Sequence, residues 1–333
     1  MFDKIMKILT ITEEVDSIDN YRASGSLFEL GKSDGYEVDI ASRNFAYSKI
    51  FRKYDIFYLQ RPRSIDLETA CLAKKFGLKL VVDYDDDLFN VPVHNPAHLG
   101  LHSEEIDCMR DVICASDLVT VSTKSLKDEI EGQTMHKNVQ IVPNSLNDSI
   151  FELGEKQNFN KVIVWRGSNT HAKDLYSVKD GLNKIIKERS DWTFVFMYYF
   201  PFFIEKEKNV IYTDWISPFY NYMNQLKSTY PGIVIHPLTE NKFNKSKSNI
   251  AWIEATHAGA ACVAPDLPEW KQPGIANYES DNGQDFYLKI KDLMEKIDDR
   301  EDTGFEDSKK FIESNLILSK VNLKRKELYE KLL

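Results

Sequence analysis

Short apolar runs alternate with longer amphipathic stretches along most of this chain. In the first half the pattern predicts strands at 6–11, 38–41, 55–60, 78–83, 118–122 and 139–142, and helices near 27–32, 66–76, 103–116 and 124–131. In the second half it predicts strands at 161–165, 193–197, 210–213, 232–236 and 261–264. Alternating strands and helices form parallel sheets with both faces covered. We therefore expect an α/β protein whose ligands bind beyond the carboxyl ends of the strands.

A polar stretch separates the two halves. Pro143 and Asn144 form a turn, and the mostly polar residues 147–160 follow them, which is typical of a linker between domains. The prediction is a first domain over residues 1–150 and a second over 151–315. Residues 316–333 read as a final helix rich in Lys and Glu.

Composition narrows the class of protein. The chain has 333 residues, of which 42% are hydrophobic and 29% charged, so a soluble globular protein is expected. A net charge of -9 disfavours non-specific binding to nucleic acid or to an anionic membrane. Four cysteines without a C-x-x-C spacing indicate reduced thiols, and the N-terminus lacks a signal-peptide pattern, so we expect a cytoplasmic location. The longest apolar run, 194–204, is too short to span a membrane.

Two nucleotide-binding motifs are missing from the sequence. It contains no G-x-G-x-x-G and no G-x-x-x-x-G-K-[ST]. Their absence argues against a nicotinamide-dependent enzyme and against a P-loop ATPase.

Residues 244–265 predict a polar turn, a helix, a glycine stop at Gly259 and a short buried strand. Residue types that cap helix starts come first: Ser246, Ser248 and Asn249. The helix start has free N–H groups and a partial positive charge, and Lys245 and Lys247 lie beside it. The sequence therefore predicts a phosphate-binding site at this helix start. Glu254, about two turns into the helix, can accept hydrogen bonds from sugar hydroxyls or can be a solvated helix carboxylate.

A second basic site follows the predicted strand 161–165. Arg166 lies at the strand end, Gly167 permits a turn, and Lys173 comes seven residues later at the start of the next helix. A guanidinium fork and a lysine point charge at this spacing can converge on one diphosphate. His171, between them, is interpreted either as a ligand of phosphate or ribose or as a structural turn histidine.

Carboxylates cluster at the end of the predicted strand 78–83, at Asp83, Asp85, Asp86 and Asp87. Such a cluster needs partners or solvent because like charges repel. Three interpretations compete: a solvated turn, a metal site with His94, His98 or His102, and an acceptor site at which Asp85, Asp86 or Asp87 orients or deprotonates a hydroxyl. The place at a strand's carboxyl end favours the acceptor site. Pro92 and Pro96 oppose a regular helix that would align the histidines for a metal.

Three stretches, 117–146, 162–175 and 236–265, resemble glycosyltransferases of the GT-B kind, in the group that includes many retaining bacterial and phage enzymes. The resemblance implies two Rossmann-like domains that face each other across a cleft. It also implies that the last helix crosses back onto the first domain, with a buried face that comprises Ile317, Val321, Leu328 and Leu332.

The resemblance also implies roles for individual residues. Glu254 would hold the ribose, Arg166 and Lys173 would neutralise the leaving diphosphate, and Ser248 and Asn249 would donate to phosphate. Ser246 stands where the family often has a Glu that contacts the donor sugar. Gly25 and Arg22 would lie on a loop that faces the cleft, and backbone near Trp215 would contact the base.

The expected function is therefore transfer of a sugar from a nucleotide-diphosphate sugar, with UDP-sugar as the expected donor, to a hydroxyl. No metal and no tightly bound cofactor is expected. The acceptor is either a glycan or a hydroxylated base in phage DNA, in which case the location would be the host cytoplasm. Two alternatives stay open: a nucleotide-sugar epimerase or hydrolase on the same fold, and a binding protein that transfers nothing. The sequence carries no prediction of the oligomeric state.

Overall fold

The computed structural model describes residues 5–12, 17–42, 51–155 and 160–333. Six parallel strands build the first sheet, in the order β2-β1-β3-β4-β5-β6. They are β1 (Met6–Thr12), β2 (Tyr36–Ser42), β3 (Ile56–Gln60), β4 (Lys79–Tyr84), β5 (Leu118–Val121) and β6 (Val139–Ile141). The helices between them are α1 (Ser17–Arg22), α2 (Ser24–Gly31), α3 (Leu67–Lys75), α4 (Ser103–Ala115) and α5 (Lys124–Thr134).

Both faces of this sheet are buried. In β4, Leu80 and Val82 pack in one hydrophobic cluster and Val81 packs in another, because successive side chains of a strand point to opposite faces. Helices on each face explain why the strands are apolar throughout. The predicted parallel α/β arrangement of this half is confirmed.

The second sheet is also parallel and six-stranded, in the order β12-β11-β10-β7-β8-β9. Its strands are β7 (Val162–Arg166), β8 (Thr193–Met197), β9 (Val210–Thr213), β10 (Ile233–Ile235), β11 (Ala261–Pro265) and β12 (Ile275–Tyr278). Its helices are α6 (Ala172–Ser177), α7 (Lys179–Glu188), α8 (Phe219–Ser228), α9 (Lys242–Lys245), α10 (Ile250–His257), α11 (Gly283–Asp298) and α12 (Phe305–Asn315). Strand β12 is an addition to the sequence prediction, since three of its four residues are only half-buried and it lacks a clear apolar run.

The predicted helix and strand of residues 244–265 are α10 and β11. Residues Ala251 to His257 of α10 are all buried, so the helix lies within the second domain and exposes no polar face. Gly259 follows with a φ of +84°, the left-handed conformation that ends helices and that glycine adopts without strain.

One local prediction was wrong. Residues around Gly25 were expected to form a loop before a helix at 27–32, but the described part of this region is helical from Ser17, with a break at Ala23. Gly25 therefore lies in α2. A Cβ there would come 2.4 Å from the carbonyl oxygen of Asn20, so the residue allows the two helices to pack closely.

The chain passes between the two halves twice, near Leu146 and near Ile317. Leu146 pairs with Ile317 in an isolated parallel bridge, and its backbone bonds to both Leu316 and Leu318. After this crossing, α13 (Leu318–Glu330) packs on the first sheet, where Tyr329 is fully buried with Ile8, Leu27 and Tyr58. The expected return of the last helix to the first half is confirmed. Within the described residues, no helix is long and apolar enough to cross a membrane.

Candidate functional site

A cleft of about 520 Å³ lies between the carboxyl ends of the two sheets. Its volume is within the range of small-molecule binding sites, roughly 300–1,000 Å³. The first half contributes the loops after β3 and β4, and the second half contributes the loops after β7, β8 and β10 and the start of α10. Ligands of parallel sheets bind at such strand ends.

Arg166, the last residue of β7, forms a buried ion pair in this cleft. Its Nε lies 2.7 Å from Oε2 of Glu254, although the two groups lack the alignment of a hydrogen bond. Burial lowers the pKa of Arg166, but the Glu254 carboxylate together with Tyr222 and Tyr21 outweighs this effect, so the pKa is raised. The guanidinium therefore keeps its charge.

Glu254 has further partners on both sides of the cleft. Its Oε1 accepts from the hydroxyl of Tyr21 at 3.1 Å, and its Oε2 accepts from the hydroxyl of Tyr222 at 2.7 Å. Burial first, and then the Glu254 charge, raise the pKa of both tyrosines far above 10, so both hydroxyls keep their protons and donate. A carboxylate has about four acceptor positions, of which the two tyrosines occupy two, while the charge of Arg166 lies beside Oε2.

The acidic cluster is divided by its partners. Arg61 binds Asp85 with two bonds of 2.5 and 2.7 Å, and its Nη2 also bonds Asp86 at 2.9 Å. Lys247 reaches Asp86 from the second half, with Nζ 3.2 Å from Oδ1. Asp85 is 3% exposed at its side chain and Asp86 is 21% exposed, so Asp86 is the carboxylate that faces the open cleft.

The pKa values of this pair move in opposite directions. Burial raises the pKa of Asp85 against the opposing charge of Arg61. For Asp86, burial also acts upward, but Lys247 and Arg61 outweigh it and lower the pKa. Asp86 is therefore ionised, and its bonds to Arg61 and Lys247 orient it.

Asp87 does not line the cleft. It is buried and accepts from the backbone N–H of Phe89 and from the side chain of Asn90. Burial raises its pKa to about 6. These contacts stabilise the turn after β4.

The start of α10 faces the cleft through Ser248, Ile250 and Ala251. No side chain caps this helix. Ser248 accepts a bond of 2.7 Å from Asn144, and Asn249 donates away from the cleft to the carbonyl of Glu269. The uncapped N-terminus presents a partial positive charge beside Lys247.

Aromatic and histidine side chains form the rest of the wall. Trp215 stacks on Tyr222 with ring centroids 5.0 Å apart, and Tyr198 contacts Trp215. His236 stacks on Trp270, and its pKa lies well below 6.5, mainly because it is buried. His236 is therefore neutral.

The structure brings together most of the residues that the sequence singled out. The cleft is lined by Asp85, Asp86, Arg166, Gly167, Lys247, Ser248 and Glu254. It is not lined by Asp87, Gly25, Asn249 and Lys173, and Lys173 is exposed near His94. Arg22 does not face the cleft either, since it is fully buried in an ion pair with Asp83.

Cleft residues that sequence reasoning missed include Tyr21, Arg61, Tyr222 and His236. Arg61 and His236 were open to detection, since Arg61 directly follows a predicted strand, His236 is the last residue of another, and strand ends are where ligands bind. Within the described ranges, no group of three or more His, Cys, Asp or Glu side chains could hold a metal ion. The His94, His98 and His102 set is not brought together, because His98 bonds the carbonyl of Val91 and His102 caps α4.

Two parallel six-stranded sheets that face each other across a cleft, with the last helix returned to the first, define the GT-B fold. No protein-family model matches the chain, and no curated protein matches it. Solved structures do share the fold, as three examples show.

A UDP-forming α,α-trehalose-phosphate synthase from Burkholderia xenovorans matches with a TM-score of 0.66 and 10% identity over 98% of this chain and 99% of that chain. TarM from S. aureus, solved with fondaparinux, α-GlcNAc-glycerol and UDP, matches with a TM-score of 0.58 and 14% identity, over 82% of this chain and 55% of TarM. A protein of Listeria monocytogenes assigned as a UDP-N-acetylglucosamine 2-epimerase matches with a TM-score of 0.57 and 10% identity, over 92% of this chain and 90% of that one.

Proposed function

We propose that this protein is a glycosyltransferase that moves a sugar from a nucleotide-diphosphate sugar to a hydroxyl. One observation carries the proposal. Arg166, from the junction after β7, and Lys247 with the uncapped start of α10, from the junction after β10, line one cleft, opposite the carboxylate Asp86 of the first sheet. Positive groups on one side suit a diphosphate, and a carboxylate on the other suits a hydroxyl.

On the donor side, the diphosphate would lie between Arg166 and the start of α10. Lys247 would exchange its bond with Asp86 for one with phosphate. Glu254 keeps acceptor capacity for a ribose hydroxyl beyond its bonds from the two tyrosines, and Trp215 offers an exposed ring near the expected base. We propose UDP as the nucleotide part of the donor. Structural neighbours solved in complex with UDP, TarM among them, support this choice. Lys173 stays a prediction for the diphosphate, since it is exposed outside the cleft lining.

On the acceptor side, Asp86 is the preferred member of the acidic cluster. Asp85 has both oxygens bound by Arg61, so it positions that arginine. When Lys247 turns to the diphosphate, Asp86 loses a cation and becomes a better proton acceptor. In the reaction the acceptor oxygen bonds to the anomeric carbon and gives up its proton, while the bond from that carbon to phosphate breaks and its electron pair stays on the leaving diphosphate.

A direct experiment tests the proposal. Thermal unfolding is measured with UDP, GDP, ADP and CDP, since a ligand that binds only the folded form raises stability. The protein is then incubated with the matching nucleotide sugars and a panel of hydroxyl acceptors that includes glycans and duplex DNA with hydroxymethylated bases. We expect stabilisation by one nucleotide and acceptor-dependent release of it. Failure of every nucleotide to bind would refute the proposal.

An epimerase is the second candidate, because the Listeria neighbour is assigned as one and shares the fold. The same incubation without acceptor separates the two. An epimerase converts its nucleotide sugar alone, whereas a transferase needs the hydroxyl. Accumulation of an epimeric nucleotide sugar without acceptor would favour the second candidate.

A further inference from the structure

A carboxylate and an imidazole form a pair at the cleft wall, in the loop after β7. His171 is the last residue of a 3-10 turn, Asn169–His171, and its Nδ1 lies 2.9 Å from Oδ2 of Asp174. The His171 ring lines the same cleft as Arg166 and Lys247. Among the residues that the structure describes, none forms a hydrogen bond with its Nε2.

The Asp174 side chain is held rigidly. Its Oδ1 accepts from the backbone N–H and the hydroxyl of Thr239 and from the side chain of Asn244, at 2.8 to 2.9 Å. Burial alone would raise the pKa of Asp174, but the bonds from His171 and Thr239 lower it. A charged Asp174 requires a proton on Nδ1 of His171, so Nε2 is the atom available to a ligand.

We propose that His171 is a third phosphate-binding residue of the donor site, which in its protonated form donates Nε2–H to the diphosphate of the nucleotide. This inference rests on the proposed function, because the ligand is the donor's diphosphate. An imidazolium has two N–H donors. Asp174 takes one, and the phosphate takes the other, so the cation is bound between two anions.

Charged groups from both sheets surround His171, and a bound diphosphate would favour its protonation. Arg166 and Lys247 line the same cleft from the second sheet, and their positive charges oppose a further cation there. Asp86, from the first sheet, acts in the opposite direction. A bound diphosphate adds negative charge beside the ring, so binding of the nucleotide and of a proton to His171 favour each other.

The other titratable groups near the turn do not replace His171. His236 contacts the His171 ring at 5.5 Å, edge to face, but burial keeps it neutral. Lys173, two residues after the turn, and His94, in the segment after β4, are both exposed. His98, on the short helix that packs against the turn, bonds the carbonyl of Val91.

The test uses the full chain and UDP, with GDP and ADP in parallel. Dissociation constants are measured by calorimetry at pH 6 and pH 8 for the wild type, His171→Gln and His171→Asn. The Gln amide places an N–H near the position of Nε2 but does not titrate, and Asn keeps a donor towards Asp174 only.

We expect the wild type to bind UDP about tenfold more tightly than His171→Gln at pH 6, since a hydrogen bond from a charged donor is worth about that much. At pH 8 this advantage should be lost or reversed, because a neutral imidazole bonded to Asp174 has no proton on Nε2, whereas the Gln amide keeps its N–H. His171→Asn should be weaker than His171→Gln at both pH values. Protonation of UDP itself is common to all three proteins. Equal ratios of dissociation constants at the two pH values would overturn the inference and leave the proposed function intact. No binding of any of the three nucleotides to the wild type would contradict the proposed function itself.

Discussion

At Arg166 and Glu254, opposite charges are buried side by side in a cleft that the structure leaves open to ligand. Such a pair contributes little net stability, because desolvation of both ions offsets their attraction. Removal of one partner is costly, since the other charge stays buried. The pair is therefore suited to hold a guanidinium in place for an anion.

Arg166→Ala should lower the free energy of unfolding by about 3 kcal/mol, because it leaves the Glu254 carboxylate buried without its cation. Addition of Glu254→Gln should restore part of this loss. Urea unfolding of the single and double variants measures both effects. Strictly additive losses would show that the two side chains do not interact.

Asp86→Asn should separate binding from transfer. Loss of the carboxylate frees Lys247 for phosphate, so we expect nucleotide affinity to rise several-fold, while transfer falls by about 10²-fold or more if Asp86 handles the acceptor proton. Asp87→Asn is the neighbouring control and should leave both unchanged. Weaker nucleotide binding by Asp86→Asn would contradict the exchange of Lys247 between Asp86 and phosphate.

Asp87 also makes a pH dependence testable. Its pKa is about 6 in the folded protein and about 3.9 in an unfolded chain, so the folded state binds the proton more tightly. The contribution of protonated Asp87 to the free energy of unfolding is complete below pH 4 and is lost as pH rises through 6. It amounts to at most about 3 kcal/mol. In Asp87→Asn the unfolding free energy should vary less over pH 4 to 6 than in the wild type. Parallel pH curves would count against a raised pKa.

Among the elements, α10 carries the proposed donor side of the cleft. It is buried on all sides, and its first turn lies between domains, since the loop before it is bound by Thr123 and Asn144 of the first half. The hydrogen bonds of these two residues fix where the helix N-terminus points. An exposed helix with the same sequence would have a partial charge without a defined place for an anion.

Two lysines of this loop provide a matched pair for a test. Lys247 faces the cleft, and Lys245 pairs with Glu240 at the surface. Lys247→Ala should weaken nucleotide binding by about tenfold, the value of one charge-assisted hydrogen bond. Lys245→Ala should have nearly wild-type affinity. Calorimetric titration with UDP measures the affinity of both variants. Equal losses would mean that the two lysines act only through the overall positive charge of the loop.

In the whole molecule, each half completes the other. The first half supplies Tyr21 to Glu254 and Asp86 to Lys247, and the second half returns α13 to cover the first sheet. Asn322 of α13 donates to the carbonyl of Ser26, which joins it to α2. The cleft is therefore built between two sheets that are linked at both chain crossings.

Tyr329→Ala in α13 should lower the free energy of unfolding by about 3–5 kcal/mol, because a large side chain is removed from the cluster on the first sheet. Leu323→Ala, on the exposed side of the same helix, should cost less than about 0.5 kcal/mol. Urea unfolding of both variants provides the comparison. A small effect at Tyr329 would show that α13 is not needed by the first sheet.

Local patterns in the sequence were enough to predict most of the strands and helices, the glycine stop at Gly259 and the cations at the strand and helix ends, because these features depend on neighbours a few residues away. They also indicated the two-domain α/β fold. The contacts between the site residues, in contrast, join residues that are far apart in the sequence. Tyr21 and Glu254 lie 233 residues apart, and Asp86 and Lys247 lie 161 apart.

Only the tertiary structure showed that Asp86 rather than Asp87 lines the cleft, that Gly25 lies in a helix and that Lys173 is at the surface. The physical reason is that a charged side chain takes its role from burial and from the groups opposite it. Those groups are brought together by the docking of two sheets, which no local pattern records.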